Sequence, residues 1–201
     1  MIKAVVFDFG GVLATEGFKE GLKAIGRKNG LDPDEFFLTA SELVYQTGYV
    51  AGMSGEPEYW KAIRERTGVT ASDEELRNEI LSRFSLRPKI LSVIRNLRDA
   101  GMSTAVLSDQ TNWLNEINSG SPFYHNFDFV FNSFELKKTK RDSSVFRDIC
   151  SAIGVEPGEV LFIDDNVENI RRAKAEGLIA MHFKDVNGFE KEIEKKIQEE
   201  R

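Results

Sequence analysis

Residues 4–13, Ala-Val-Val-Phe-Asp-Phe-Gly-Gly-Val-Leu, constrain this chain more than any other stretch. A short apolar, β-branched run ends in one carboxylate, Asp8, and Gly10 and Gly11 follow at once. Apolar runs of this length closed by turn signals suit a strand buried on both faces of a parallel sheet. Ligands of such sheets gather beyond the carboxyl ends of the strands, which is where Asp8 falls. A carboxylate there is costly to bury without a partner, so it implies a cation, a metal or chemistry. Taken alone, Asp8 could equally cap the turn that follows it.

Further apolar runs at 104–108, 127–131, 160–164 and 179–183 alternate with helical patterns at 111–119, 142–153 and 167–176, the last stopped by Gly177. Strand alternating with helix reads as an α/β fold with a Rossmann-like, doubly wound parallel sheet. Residues 18–85 break the rhythm, carrying helix signals and no convincing strand. Asp32-Pro33 is an N-cap followed by proline at the first helical position. Glu56-Pro57 opens another helix that Gly68 can close, and Ser72 with Glu75 makes a capping box. Pro88 then starts a helix running to Gly101. The expected organisation is a core domain of residues 1–16 and 87–201 with an all-helical cap domain, residues 17–86, inserted after the first strand. A crossover needs only a dozen or more residues, so the insertion exceeds what connection requires. Standing at the carboxyl end of strand one, it is a candidate lid over Asp8.

With 33 acidic and 27 basic residues the formal charge is −6, which argues against a nucleic-acid-binding surface. Cys150 is the single cysteine and cannot form an internal disulfide. No apolar run approaches the ~20 residues of a membrane span. The amino terminus enters a strand with no signal-peptide pattern, so a cytoplasmic protein is expected, with a monomer as the default.

Three later segments answer Asp8. The second strand ends in Ser108-Asp109-Gln110-Thr111 before a helix. A hydroxyl with backbone N–H groups at a helix start can hold an anion, or can simply cap that helix. The fourth strand ends in Asp164-Asp165. Carboxylates gathered at a strand-end cleft repel unless a cation sits between them, and a few hard oxygen ligands favour Mg²⁺ over zinc. The basic run 137–141 reads mostly as a solvated loop, with one lysine placed to stabilise charge near a phosphate.

In order and spacing these four segments resemble the motifs of the haloacid dehalogenase (HAD) superfamily of aspartate-nucleophile phosphohydrolases. Phe7-Asp8-Phe9-Gly10-Gly11 is similar to the first motif, Leu107-Ser108-Asp109 to the second, Lys140-Arg141-Asp142 to the third and Phe162-Ile163-Asp164-Asp165-Asn166 to the fourth. Gly52-Met53-Ser54 with Tyr59-Trp60 is similar to that family's small helical cap. The resemblance implies a Mg²⁺-dependent phosphatase acting on a small phosphorylated metabolite through an aspartyl-phosphate on Asp8. It implies Ser108, Lys140 and backbone N–H groups near Asp109 as phosphate binders. It further implies that Asp8, Asp165 and the backbone carbonyl of Gly10 hold the metal, with Asp164 as a supporting partner; which of Asp164 and Asp165 touches metal stays open.

Two departures bear on the chemistry. Where the family commonly has Asp-x-Asp, its second Asp serving as general acid and base, this chain has Gly10. Proton transfer would suffer ~10²–10⁴-fold without a substitute, for which Glu16 is a candidate. Arg141 and Ser143 replace the usual prolines of the third motif, which leaves Lys138 open beside Lys140. A metal-independent 2-haloacid dehalogenase, or a catalytically weak scaffold with a binding role, are the alternatives. The phenylalanines, Tyr45, Tyr49, Tyr59 and Trp60 read chiefly as packing, Cys150 as a buried small hydrophobe, and residues 190–201 as a solvated helix.

Overall fold

The computed structural model describes residues 1–200. Five parallel strands form one sheet: β1 (Ala4–Phe7), β2 (Ser103–Ser108), β3 (Phe129–Asn132), β4 (Val160–Asp164) and β5 (Ile179–His182). Their spatial order is β3-β2-β1-β4-β5. The order reverses beside β1, so the crevice between the ends of β1 and β4 is the topological switch point, where ligands of such sheets bind. Register places Phe7 against Ile163, and the Asp8 N–H donates to the Ile163 carbonyl at 2.8 Å. That pairing sets Asp8 and Asp164 side by side at the crevice.

Helices cover both faces of the sheet, as a parallel sheet requires. On one face α5 (Pro88–Asp99) and α10 (Phe189–Glu199) join a core built on Val5, Phe7, Val106, Leu161 and Ile163. On the other, α8 (Val145–Ile153) and α9 (Val167–Ala175) pack on Ala4, Val6, Ala105, Leu107 and Phe162. Alternate residues of β1 therefore feed different cores, as a period of two dictates. Two shorter helices, α6 (Trp113–Gly120) and α7 (Ser133–Leu136), follow β2 and β3.

Between β1 and α5 lie α1 (Gly17–Lys28), α2 (Pro33–Gln46), α3 (Glu56–Thr67) and α4 (Asp73–Leu81), with no strand among them. Their caps follow the sequence signals. The Asp32 carboxylate accepts from the N–H groups of Asp34 and Glu35, both at 2.9 Å, Ser72 and Glu75 form a reciprocal box, and Gly68 ends α3 in a left-handed conformation. These helices bury a third cluster of their own, centred on Tyr49, Tyr59, Trp60 and Ile63, which also takes in Trp113 from α6. Gly21 on α1 lets the backbone of α4 approach, since a Cβ there would meet Ile80 Cα at 2.6 Å. The chain enters and leaves this helical segment side by side: Thr15 N–H donates to Ser85 at 3.0 Å and Arg87 N–H to Leu13 at 2.8 Å.

Some expectations differ in detail. Residue 142 does not start α8; the Asp142 carboxylate instead accepts from the Ser144 N–H at 3.1 Å in a local turn. The terminal helix is solvated on only one side, because Phe189 and Ile193 are buried against the sheet. No helix among the described residues is long and apolar enough to cross a membrane.

Candidate active site

Four strand-end segments meet at the switch point, and one buried cation ties them together. Lys140, 1% exposed, donates from Nζ to Asp8 Oδ1 at 2.6 Å and to Asp164 Oδ2 at 2.7 Å. Burial alone would lower this lysine's pKa, but Asp164, Asp8 and Asp109 outweigh it and hold the ammonium firmly charged. Lys138 lies elsewhere, on the surface with Ser144 and Asp148. Among the described residues only Lys140 hydrogen-bonds the Asp8 carboxylate, which leaves Oδ2 without a protein donor. Burial pushes the Asp8 carboxyl well up, Lys140 opposing it and Asp164 reinforcing it.

The two adjacent carboxylates of β4 have different surroundings. Asp164 is fully buried and both its oxygens are engaged: Oδ1 accepts from the Asn166 N–H at 2.7 Å, Oδ2 from Lys140 and from Asn169 Nδ2 at 3.1 Å. Asp165 is partly exposed and lines the central cavity. One carboxylate oxygen each from Asp8, Asp164 and Asp165 lies within 4.8 Å of the others. Three carboxylates against one lysine leave excess negative charge in a buried crevice, so the donor set fits a hard divalent cation.

Glu16, at the entry to α1, joins this group. Its carboxylate contacts that of Asp165, and burial, with Asp165 next in weight, pushes its pKa up to about 7. Glu16 Oε1 lies 3.7 Å from where a side chain on Gly10 would begin. At Gly11, where φ is +84°, a Cβ would meet Asp165 Oδ2 at 2.2 Å. The glycine pair thus gives room for two carboxylates beside Asp8. The Arg87 guanidinium braces the same turn from behind, bonding the carbonyls of Gly11 and Val12.

Ser108, 3% exposed, lines the cavity with Asp8, Lys140 and Asp165. The Asp109 carboxylate turns away from the strand end and accepts from the Lys140 backbone N–H, its oxygens at 2.9 and 3.1 Å. Only the backbone of Asp109 therefore remains for an anion. Tyr45 of α2 donates its hydroxyl to the same carboxylate at 3.2 Å, and the Arg141 guanidinium lies 3.5 Å from the Tyr45 ring centroid. Arg141 also pairs with Glu42 at 3.0 Å. The arginine in place of the usual proline thus ties the third motif to α2. No local pattern marks the α2 partners of Asp109 and Arg141, which lie 64 and 99 residues away, and Asn169, five residues beyond Asp164, carries no sequence signal of its contact either. His182, paired with Asp164 across the sheet, meets the Asp165 backbone carbonyl through its ring at 3.0 Å, and neither it nor His125 lines the cavity above Asp8.

A cavity of about 590 Å³ opens above this floor, walled by the helical segment on one side and α9 on the other. A doubly wound sheet whose switch point holds a lysine-bridged carboxylate cluster defines the class. Within it, the chain belongs to the haloacid dehalogenase-like hydrolases, whose family model matches residues 2–177. It is 26% identical to the bifunctional epoxide hydrolase 2 of Sus scrofa over 96% of this chain, but spans only 38% of that protein's length. It is 24% identical to a sesquiterpene phosphatase of Aspergillus oryzae (91% of this chain, 90% of that protein). It is 28% identical to a D-ribitol-5-phosphate phosphatase of Bacteroides thetaiotaomicron (88% and 89%). Among solved structures, a HAD-family enzyme of Bacteroides thetaiotaomicron superposes with a TM-score of 0.78 at 23% identity, over 96% of this chain and 98% of that one. The same enzyme has been solved with magnesium and inorganic phosphate. At that identity the likeness shows the fold.

Proposed function

We propose that the protein is a Mg²⁺-dependent phosphatase that hydrolyses a small phosphomonoester through an aspartyl-phosphate on Asp8. The observation that carries this reading is the placement of Asp8 beside Lys140 and Asp164, with one carboxylate oxygen unclaimed and the cavity above it. The phosphatases among its relatives support the same reading.

Asp8 Oδ2 attacks phosphorus in line, the bond from phosphorus to the leaving alcohol breaks, and water then cleaves the acyl phosphate. Lys140 holds the attacking carboxylate in one orientation and balances the charge that arrives with the phosphoryl group. The Ser108 hydroxyl and the backbone N–H groups after β2 bind the phosphoryl oxygens. Asp8, Asp165 and the Gly10 carbonyl would hold Mg²⁺, which when bound neutralises the charge between the carboxylates and the substrate dianion. Asp164, with both oxygens already engaged, orients Lys140 rather than ligating. On its position beside Gly10, Glu16 takes the place of the absent acid, protonating the leaving oxygen and later receiving a proton from water. The helical segment, residues 17–86, serves as the cap, joined to the core of residues 1–16 and 87–201 through the paired strands of chain at 13–15 and 85–87.

The test is phosphate release from p-nitrophenyl phosphate, expected to stop with EDTA and to return with Mg²⁺. Cation-independent chloride release from 2-chloropropionate, without phosphate release, would contradict it. Glu16→Gln is expected to slow alkyl phosphates by about 10²–10⁴-fold in kcat. The same change should affect p-nitrophenyl phosphate much less, because its leaving group needs little protonation. Equal loss on both would remove Glu16 from that role.

A further inference from the structure

The cavity is chemically divided. Its floor carries the charged groups already described, while the wall supplied by the helical segment presents Phe18, Phe37, Val44, Tyr45, Val50 and Phe84. Phe18, Phe37, Tyr45 and Phe84 are only partly buried in the helical core, so aromatic surface remains open towards the space above Asp8. Partly exposed aromatic faces gathered in one concave site mark a place where apolar ligand surface is buried.

On the helical-segment wall few hydrogen-bonding groups are free. The Tyr45 hydroxyl is spent on Asp109 and Arg141 on Glu42. The Ser41 hydroxyl donates to the Leu38 carbonyl at 3.1 Å. Across the cavity the Asn166 side chain caps α9, while Asn169 donates to Asp164 and accepts from Arg172 at 3.1 Å. A polyol leaving group brings a hydroxyl on nearly every carbon, and each needs a partner on burial. On the helical-segment wall the free groups are Lys19, itself 5.8 Å from the Phe37 ring centroid, and the Ser41 and Tyr45 lone pairs; Gln110, Glu168 and Arg172 keep free groups on the other sides of the cavity.

We infer that the substrate is the monophosphate of an apolar alcohol, alkyl, prenyl or aryl, whose hydrocarbon part lies against the Phe18–Phe37–Phe84 wall. The inference rests on the phosphatase reading and names the substrate class for that site. The floor takes the phosphoryl dianion and the wall takes the hydrocarbon. Specificity then comes from removing apolar surface from water, which rises with chain length until the cavity is filled.

The experiment is a series of straight-chain alkyl monophosphates of increasing length, with Mg²⁺, compared with glycerol and pentitol phosphates. Expected is a rise in kcat/KM of about threefold to fourfold per added methylene over the first several carbons, carried mainly by KM. Polyol phosphates of equal carbon number should be at least tenfold poorer, by analogy with the cost of unpaired polar groups. Phe37→Ser should flatten the series, and Phe37→Leu should flatten it less. A flat series, or a polyol phosphate hydrolysed better than its alkyl counterpart, overturns the inference and leaves the phosphatase reading standing. No hydrolysis of any phosphomonoester overturns the phosphatase reading, and the inference with it.

Discussion

Asp8→Asn is expected to lower phosphate release on the order of 10⁴–10⁶-fold, the range seen when a catalytic nucleophile is removed. Asparagine keeps the shape of the side chain, and Lys140 keeps Asp164 as a partner at 2.7 Å. The variant should therefore fold, with an unchanged circular dichroism spectrum, so that the loss reports chemistry. A steady-state assay at saturating Mg²⁺ checks this. Residual activity within tenfold of the parent would mean that the nucleophile lies elsewhere.

Lys140→Met tests the other half of the floor, and its largest effect should be on stability. The methionine fills the same space but leaves Asp164, fully buried, without its cation. Breaking a buried ion pair by removing one partner costs about 3–5 kcal/mol. For a domain of this size each kcal/mol shifts Tm by roughly 2–4 °C, so a fall of about 6–20 °C is expected in thermal unfolding, together with loss of phosphate release. Lys138→Ala is the comparison. Its surface contacts with Ser144 and Asp148 put the expected change within about 0.5 kcal/mol, with activity retained. The reverse ranking of the two lysines would remove Lys140 from the site.

The fold was legible because its signals are local. A strand buried on both faces has to be mainly apolar, and β1 is so throughout, β2 at Ala105–Leu107 and β4 at Val160–Ile163. Caps at Asp32 and Ser72 and the stop at Gly68 act within a few residues and were readable for the same reason. The switch-point carboxylates were legible because a charge that ends an apolar run has few structural explanations. The ambiguities were of another kind. Whether Lys138 or Lys140 reaches Asp8 depends on how a loop turns after β3, and no pattern in the run 137–141 encodes that turn. Asp164 and Asp165 are identical in type and adjacent, and only their neighbours in space, Asn166 and Asn169 against Glu16, separate them. Phe37 and Tyr45 looked like packing because helical spacing registers the apolar character of a residue and not whether its face meets a core or a cavity. The seating of the terminal helix is masked for a related reason: Phe189 and Ile193 are two apolar residues in a strongly charged run, yet they suffice to seat it on the sheet.

The account stands on a covalent bond between phosphorus and Asp8, and that bond can be observed. The protein is mixed with an excess of a phosphomonoester and Mg²⁺, quenched in acid within the first turnover, digested, and mapped by mass spectrometry. The account predicts that the peptide spanning residues 4–13 gains one phosphoryl group on Asp8, and that the Asp8→Asn protein gains none. Phosphate released in that first turnover with no phosphorylated peptide, or with the group on any other residue, would contradict it.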